Sequence, residues 1–176
     1  MDDQISSFFA ELIANFENDN EMELRDLSNR AIEVAVLSEN KALVDLSLVS
    51  YSLAKLMSKP HLFRSEQWLK FKEHILEELR KKEDFGIILN YIIADVSSFD
   101  VNLGNYTRDV VENARIKQAS RAYALGVSLR RASELTNVNL SALLDYVGAT
   151  KIHDRPFTKS KNVLERYNNA KKVLGG

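Results

Sequence analysis

Residues 85–96 read FGIILNYIIADV, the most apolar run of the chain, and the fold class turns on whether they form a helix or a strand. Periodicity alone does not separate a buried helix from a buried strand in so short a run. No other segment offers the alternating pattern of a partner strand, so the run reads as a helix. With 2 prolines and 6 glycines in 176 residues, obligatory turns are few. The expected fold is all-α, a helical bundle followed by a C-terminal helix-turn-helix.

The segments before this run support that reading. Ile5, Phe8, Phe9, Leu12, Ile13 and Phe16 line one face of a helix, with Asp2 and Asp3 suited to its N-terminal dipole and Asn18, Asp19 and Asn20 ending it. Leu24, Leu27, Ala31, Val34, Ala35 and Leu37 mark a second helix. After a break at Ser38, Glu39 and Asn40, a third carries Leu43, Leu46, Val49, Leu53 and Leu56 and stops before Pro60, which lacks the amide hydrogen a helix needs. So short a connection makes the two antiparallel. Ser65 caps a fourth helix with Trp68, Phe71, Ile75 and Leu79, and Arg80, Lys81 and Lys82 fall in its expected last turn, where cations suit the carbonyl end.

Beyond the apolar run, residues 97–104 (SSFDVNLG) read as an extended linker, and residues 106–125 as one long helix with Val110, Ala114, Ala122 and Leu125 among its apolar positions. The linker also divides the charge. The whole chain has 24 basic and 25 acidic side chains, yet residues 1–104 hold 11 basic against 19 acidic, a net of -8, and residues 105–176 hold 13 against 6, a net of +7. Two regions are therefore expected: an acidic helical bundle at 1–104 and a basic helical region at 105–176. Such asymmetry fits a phosphate-binding half beside an acidic one, or two halves that pack on each other.

Residues 126–148, GVSLRRASELTNVNLSALLDYVG, carry the one recognisable motif. Gly126 can take the left-handed geometry that ends a helix, and Ser128 can cap the next, which has Leu129, Ala132 and Leu135 on one side. Asn137 stands where a sharp turn needs positive φ. Asn139 can cap a second short helix in which Leu140, Leu143, Leu144 and Val147 are expected to be mostly buried, with Gly148 at its end. Two short helices, a tight turn and a small residue at the crossing, Ala132, are the pattern of a helix-turn-helix at about 128–148.

That stretch resembles the helix-turn-helix of small prokaryotic antitoxins encoded beside PIN-domain toxins. More broadly, residues 115–154 resemble an uncharacterised archaeal protein family, a likeness covering about 40 residues of the 176. The resemblance implies a DNA-binding or toxin-neutralising role, although over a hundred further residues are not explained by it. The exposed early residues of the second helix would be Asn139, Ser141, Ala142 and Asp145, none of them basic. Positive charge flanks the motif instead, at Arg115, Lys117, Arg121, Arg130 and Arg131 before it and Lys151, Arg155, Lys159 and Lys161 after it, which suits contacts to a phosphate backbone. Arg130 can equally pair with Glu134 one turn on. The candidate nucleic-acid-binding residues are thus Arg115, Lys117, Arg121, Arg130, Arg131, Asn139, Ser141, Lys151 and Arg155.

Catalysis finds little support. The chain has no cysteine, which excludes thiol nucleophiles and thiolate metal sites. His61, His74 and His153 lack metal-ligand spacing, and Asp95 and Asp100 are explained by helix-end and linker roles. Phosphate-loop, dinucleotide-binding and serine-hydrolase motifs are missing. No cofactor and no metal site is expected, and Trp68 and the phenylalanines sit at core intervals. An acidic start without a signal peptide, no membrane-length apolar run and the lack of cysteine point to a soluble cytoplasmic protein. The tail forms a loop at Pro156 and a last helix with Val163, Leu164, Tyr167, Ala170 and Val173 on its apolar side, free as an arm or folded back on the acidic half. The leading expectation is a non-enzymatic nucleic-acid-associated regulator, antitoxin-like, with DNA or another nucleic acid and a toxin-like protein as partners, no membrane, and room for a homo-oligomer. The alternative is a helical protein–protein interaction module in which the helix-turn-helix is only a packing unit.

Overall fold

The computed structural model describes residues 2–102 and 110–149. Eight helices follow one another there: α1 (Asp2–Glu17), α2 (Glu21–Ser38), α3 (Lys41–Met57), α4 (Glu66–Leu79), α5 (Phe85–Asn102), α6 (Val110–Ala124), α7 (Leu129–Thr136) and α8 (Leu140–Ala149). No strand occurs among the described residues, so the protein is all-α.

Helix α3 is the axis. Of its 17 residues 13 are buried, without a break from Leu43 to Ser50, because α1, α2, α5, α6 and α7 all pack against it. A helix enclosed in this way has no polar face, and two of its three buried serines are accommodated locally. Ser47 donates its hydroxyl to the Val44 carbonyl at 2.7 Å and Ser50 to that of Leu46 at 2.8 Å, which satisfies them within the helix and keeps the surface narrow. Asp45, also buried, pairs with Lys41 one turn earlier.

The loops match their sequence signals. Asn40 accepts from the amides of Ala42 and Leu43, fixing the start of α3 directly after α2. Ser65 accepts from the Trp68 amide at 3.1 Å, so α4 begins where expected, and fully buried Trp68 meets Phe16 of α1 edge-on at 5.9 Å. Arg30 ties α2 to α1 by bonding Glu11, whose carboxylate raises the arginine above its ordinary pKa. The end of α4 differs from expectation. Arg80 and Lys81 bond back only three residues, to Glu77 and Glu78, so the helix tightens and closes at Leu79 and the basic cluster follows it rather than filling its last turn.

The apolar run at 85–96 is a helix, and it continues to Asn102, so residues 97–102 are not the extended linker their composition suggests. Two contacts hold them. Phe99 stacks on Phe71 at 4.0 Å, and Asp100, fully buried, occupies the same face as Ile88, Ile92 and Val96. Asp100 forms an ion pair with Lys59 at 2.6 Å and accepts the Val110 amide at 2.9 Å, anchoring the first residue of α6. Residues 103–109, including the expected start of the long helix, lie outside the described residues.

The core has two parts. Helices α1 to α5 build the larger, joined by Val110, Val111 and Ala114 of α6. Ile116, Ala119 and Ala122, further along α6, build the smaller with Ala132, Val138, Leu143 and Val147. One helix therefore belongs to both.

Candidate functional site

The α6–α8 unit is shaped by three helix ends. At Gly126, φ is 102°, and the amides of Val127 and Gly126 return to the carbonyls of Ala122 and Tyr123 at 3.2 and 2.9 Å. This left-handed closure stops α6 and redirects the chain. Ser128 caps α7 by accepting from the Arg131 amide at 3.2 Å. Asn137, with φ 53°, repeats the closure at the end of α7: Val138 bonds the Ser133 carbonyl at 3.1 Å, and the Ser133 hydroxyl donates to the Val138 carbonyl at 2.7 Å. Asn139 then accepts from the Ser141 amide at 2.8 Å and starts α8. Residues 137–139 are the whole connection between α7 and α8, and the buried Ala132 and Val138 lie between the helices and α6.

The four arginines on α6 and α7 all have partners. Arg115 donates to the Thr136 carbonyl at 2.8 Å, satisfying the end of α7 rather than facing solvent. Arg121 meets Glu33 of α2 at 2.5 Å, and its buried Nε has no partner among the described residues. Arg131 meets Glu39, the left-handed residue that closes α2, at 2.8 Å. Arg130 pairs with Glu134 at 3.1 Å and keeps a side chain 85% exposed. Lys117 and Ser141 are exposed, and Asn139 is used as the cap. Lys151 and Arg155 lie outside the described residues, as do Lys159 and Lys161. Helix α2 and the residue that closes it thus lay two carboxylates against α6 and α7. Glu33 and Glu39 were not singled out from sequence; they stand 88 and 92 residues from their arginines, and the opposite net charges of the two regions were the only trace of the contact.

The outer face of α8 is not basic. Leu143 and Val147 are buried as expected, but Leu140 and Leu144 are 40% and 47% exposed. Among the described helices α8 packs chiefly on α6 and α7, and two neighbours cover one side of a helix. Ser141 and Asp145 are exposed with them. A second exposed apolar pair, Ile87 and Tyr91, occupies successive turns of α5.

The other titratable candidates are dispersed. His61 is exposed, His74 sits 3.1 Å from Asp95 at the surface between α4 and α5, and His153 lies outside the described residues. Asp95 and Asp100 have separate partners, His74 and Lys59. Among the described residues no group of three or more His, Asp or Glu is placed to hold a metal ion, and no helix is long and apolar enough to cross a membrane. No family model, no curated protein and no solved structure matches the chain.

Proposed function

We propose that the protein is a non-enzymatic helical protein-interaction module in which the α7–α8 pair serves as a packing unit. The observation that carries this reading is the engagement of Arg115, Arg121 and Arg131 by Thr136, Glu33 and Glu39, which turns basic residues of α6 and α7 into struts between helices. Partner contact falls to exposed apolar surface, with Ile87 and Tyr91 of α5 as the pair on successive turns of the acidic bundle. Co-purification of the tagged chain from its native host, with nuclease and salt controls, tests it. A protein partner should survive nuclease treatment and be lost when Ile87→Ser is combined with Tyr91→Ser. Micromolar or tighter duplex binding that weakens steeply with salt would overturn it.

A second reading, a nucleic-acid-associated and antitoxin-like regulator using α7–α8 as a helix-turn-helix, is favoured by the exposure of Arg130 and Lys117 and by the seven basic against two acidic residues of 150–176. It predicts salt-dependent binding whose slope falls by up to about two units in the Arg130→Ala, Arg131→Ala double variant.

A further inference from the structure

The exposed face of α8 is an apolar surface that the other described helices leave open. Leu140 and Leu144 are on successive turns of α8, and the exposed Asp145 adjoins Leu144. The chain does not end there. Twenty-seven residues, 150–176, continue from the C-terminus of α8, and their sequence is complementary to that face in two respects. Val163, Leu164, Tyr167, Ala170 and Val173 recur at helical spacing, and the segment carries a net charge of +5 to set against the exposed Asp145 of α8.

Reach also favours the contact. Residues 150–162 are sufficient to return the chain along a helix of this length, since an extended chain covers roughly 3.3 Å per residue and a helix only ~1.5 Å. An unattached partner would lose translational freedom on binding, whereas a segment tethered directly to α8 acts at high effective concentration.

We infer that residues 161–174 of the same chain dock along the outer face of α8, placing their apolar positions on Leu140 and Leu144 and a basic side chain beside Asp145. The occupant of this face is intramolecular. Surface capture by an external partner, on α5 or elsewhere, is a separate matter and is tested separately.

The absence of cysteine makes the test direct. In the full chain, Ser141→Cys combined with Asn169→Cys is treated with a short bis-maleimide, beside a control pairing Asn169→Cys with Lys70→Cys on α4. The expected product is an intramolecular cross-link in the first pair, well above the control, and much reduced when Leu140→Ser and Leu144→Ser are added. A yield equal to the control, or one that the serine substitutions leave unchanged, overturns the proposal. So does a product found only between chains, which would make a second copy the occupant. Hydrogen exchange in the otherwise unaltered chain provides a readout independent of the α8 variants. The amides of α8 should exchange on the order of ten-fold faster when Val163, Leu164 and Tyr167 are all changed to serine, and equal exchange would also overturn the assignment.

Discussion

The Lys59 ammonium and the Asp100 carboxylate meet at 2.6 Å with side chains 19% and 1% exposed, and the second oxygen of Asp100 takes the amide of Val110. This single carboxylate joins the segment after α3, the last turn of α5 and the first residue of α6. Removing one partner of a buried pair leaves the other charge uncompensated, so Asp100→Ala should cost about 3 kcal/mol in urea unfolding. Asp100→Asn, which keeps an acceptor for the Val110 amide, should cost less. Equal losses for the two would show that the amide bond contributes nothing.

Gln118 of α6 is fully buried and donates to the Ser28 hydroxyl of α2 at 2.7 Å, while its own Oε1 has no partner among the described residues. Ser28→Ala strands the amide and should destabilise by about 1–3 kcal/mol. Replacing both residues, with Gln118→Met added, should restore most of that loss. A double-mutant cycle measured by chemical denaturation decides it, and additive effects would mean the two groups are not coupled.

Asn137 holds φ 53° and ψ 48° at the end of α7. Glycine adopts this geometry freely, so Asn137→Gly should leave the melting temperature nearly unchanged. Asn137→Val should destabilise by about 1–2 kcal/mol, because a β-branched side chain crowds the backbone there. Loss of a cap at Asn139→Ala should cost about 1 kcal/mol.

Helix α6 contributes to both parts of the core, so the two should unfold together. The chain has one tryptophan, Trp68, buried in the larger part against Phe16, and it reports that part alone. Leu143→Ala, in the smaller part, should cost about 2–5 kcal/mol and move the Trp68 fluorescence midpoint with it. An unmoved fluorescence midpoint beside a shifted far-ultraviolet circular dichroism transition would show that α7 and α8 melt on their own.

Local chemistry made much of this fold legible. Gly126, Ser128, Asn137 and Asn139 act over two to five residues, and each takes the role its residue type favours. What escaped reading depends on partners far along the chain. Ser97, Ser98 and Asp100 look like linker composition until Lys59, 41 residues earlier, supplies a counter-charge and Phe71 a stacking surface. Likewise no acid stands near Arg121 in the sequence, and Glu33 and Glu39 reach Arg121 and Arg131 only through folding. Leu140 and Leu144 follow the same logic in reverse, since apolar spacing says which face a residue shares and not whether another helix covers that face.

The enclosure of α3 also bears on how the sequence can vary over time. Helices with one covered face can drift on the other, and α4 can change half its residues without disturbing a neighbour. Helix α3 has no such half: from Leu43 to Ser50 every position is surrounded, and the serines there are admitted for their size as much as their polarity. Descendants of this protein would therefore diverge fastest at the rim and slowest along this one strip, which would stay recognisable after the charged surface had been rewritten.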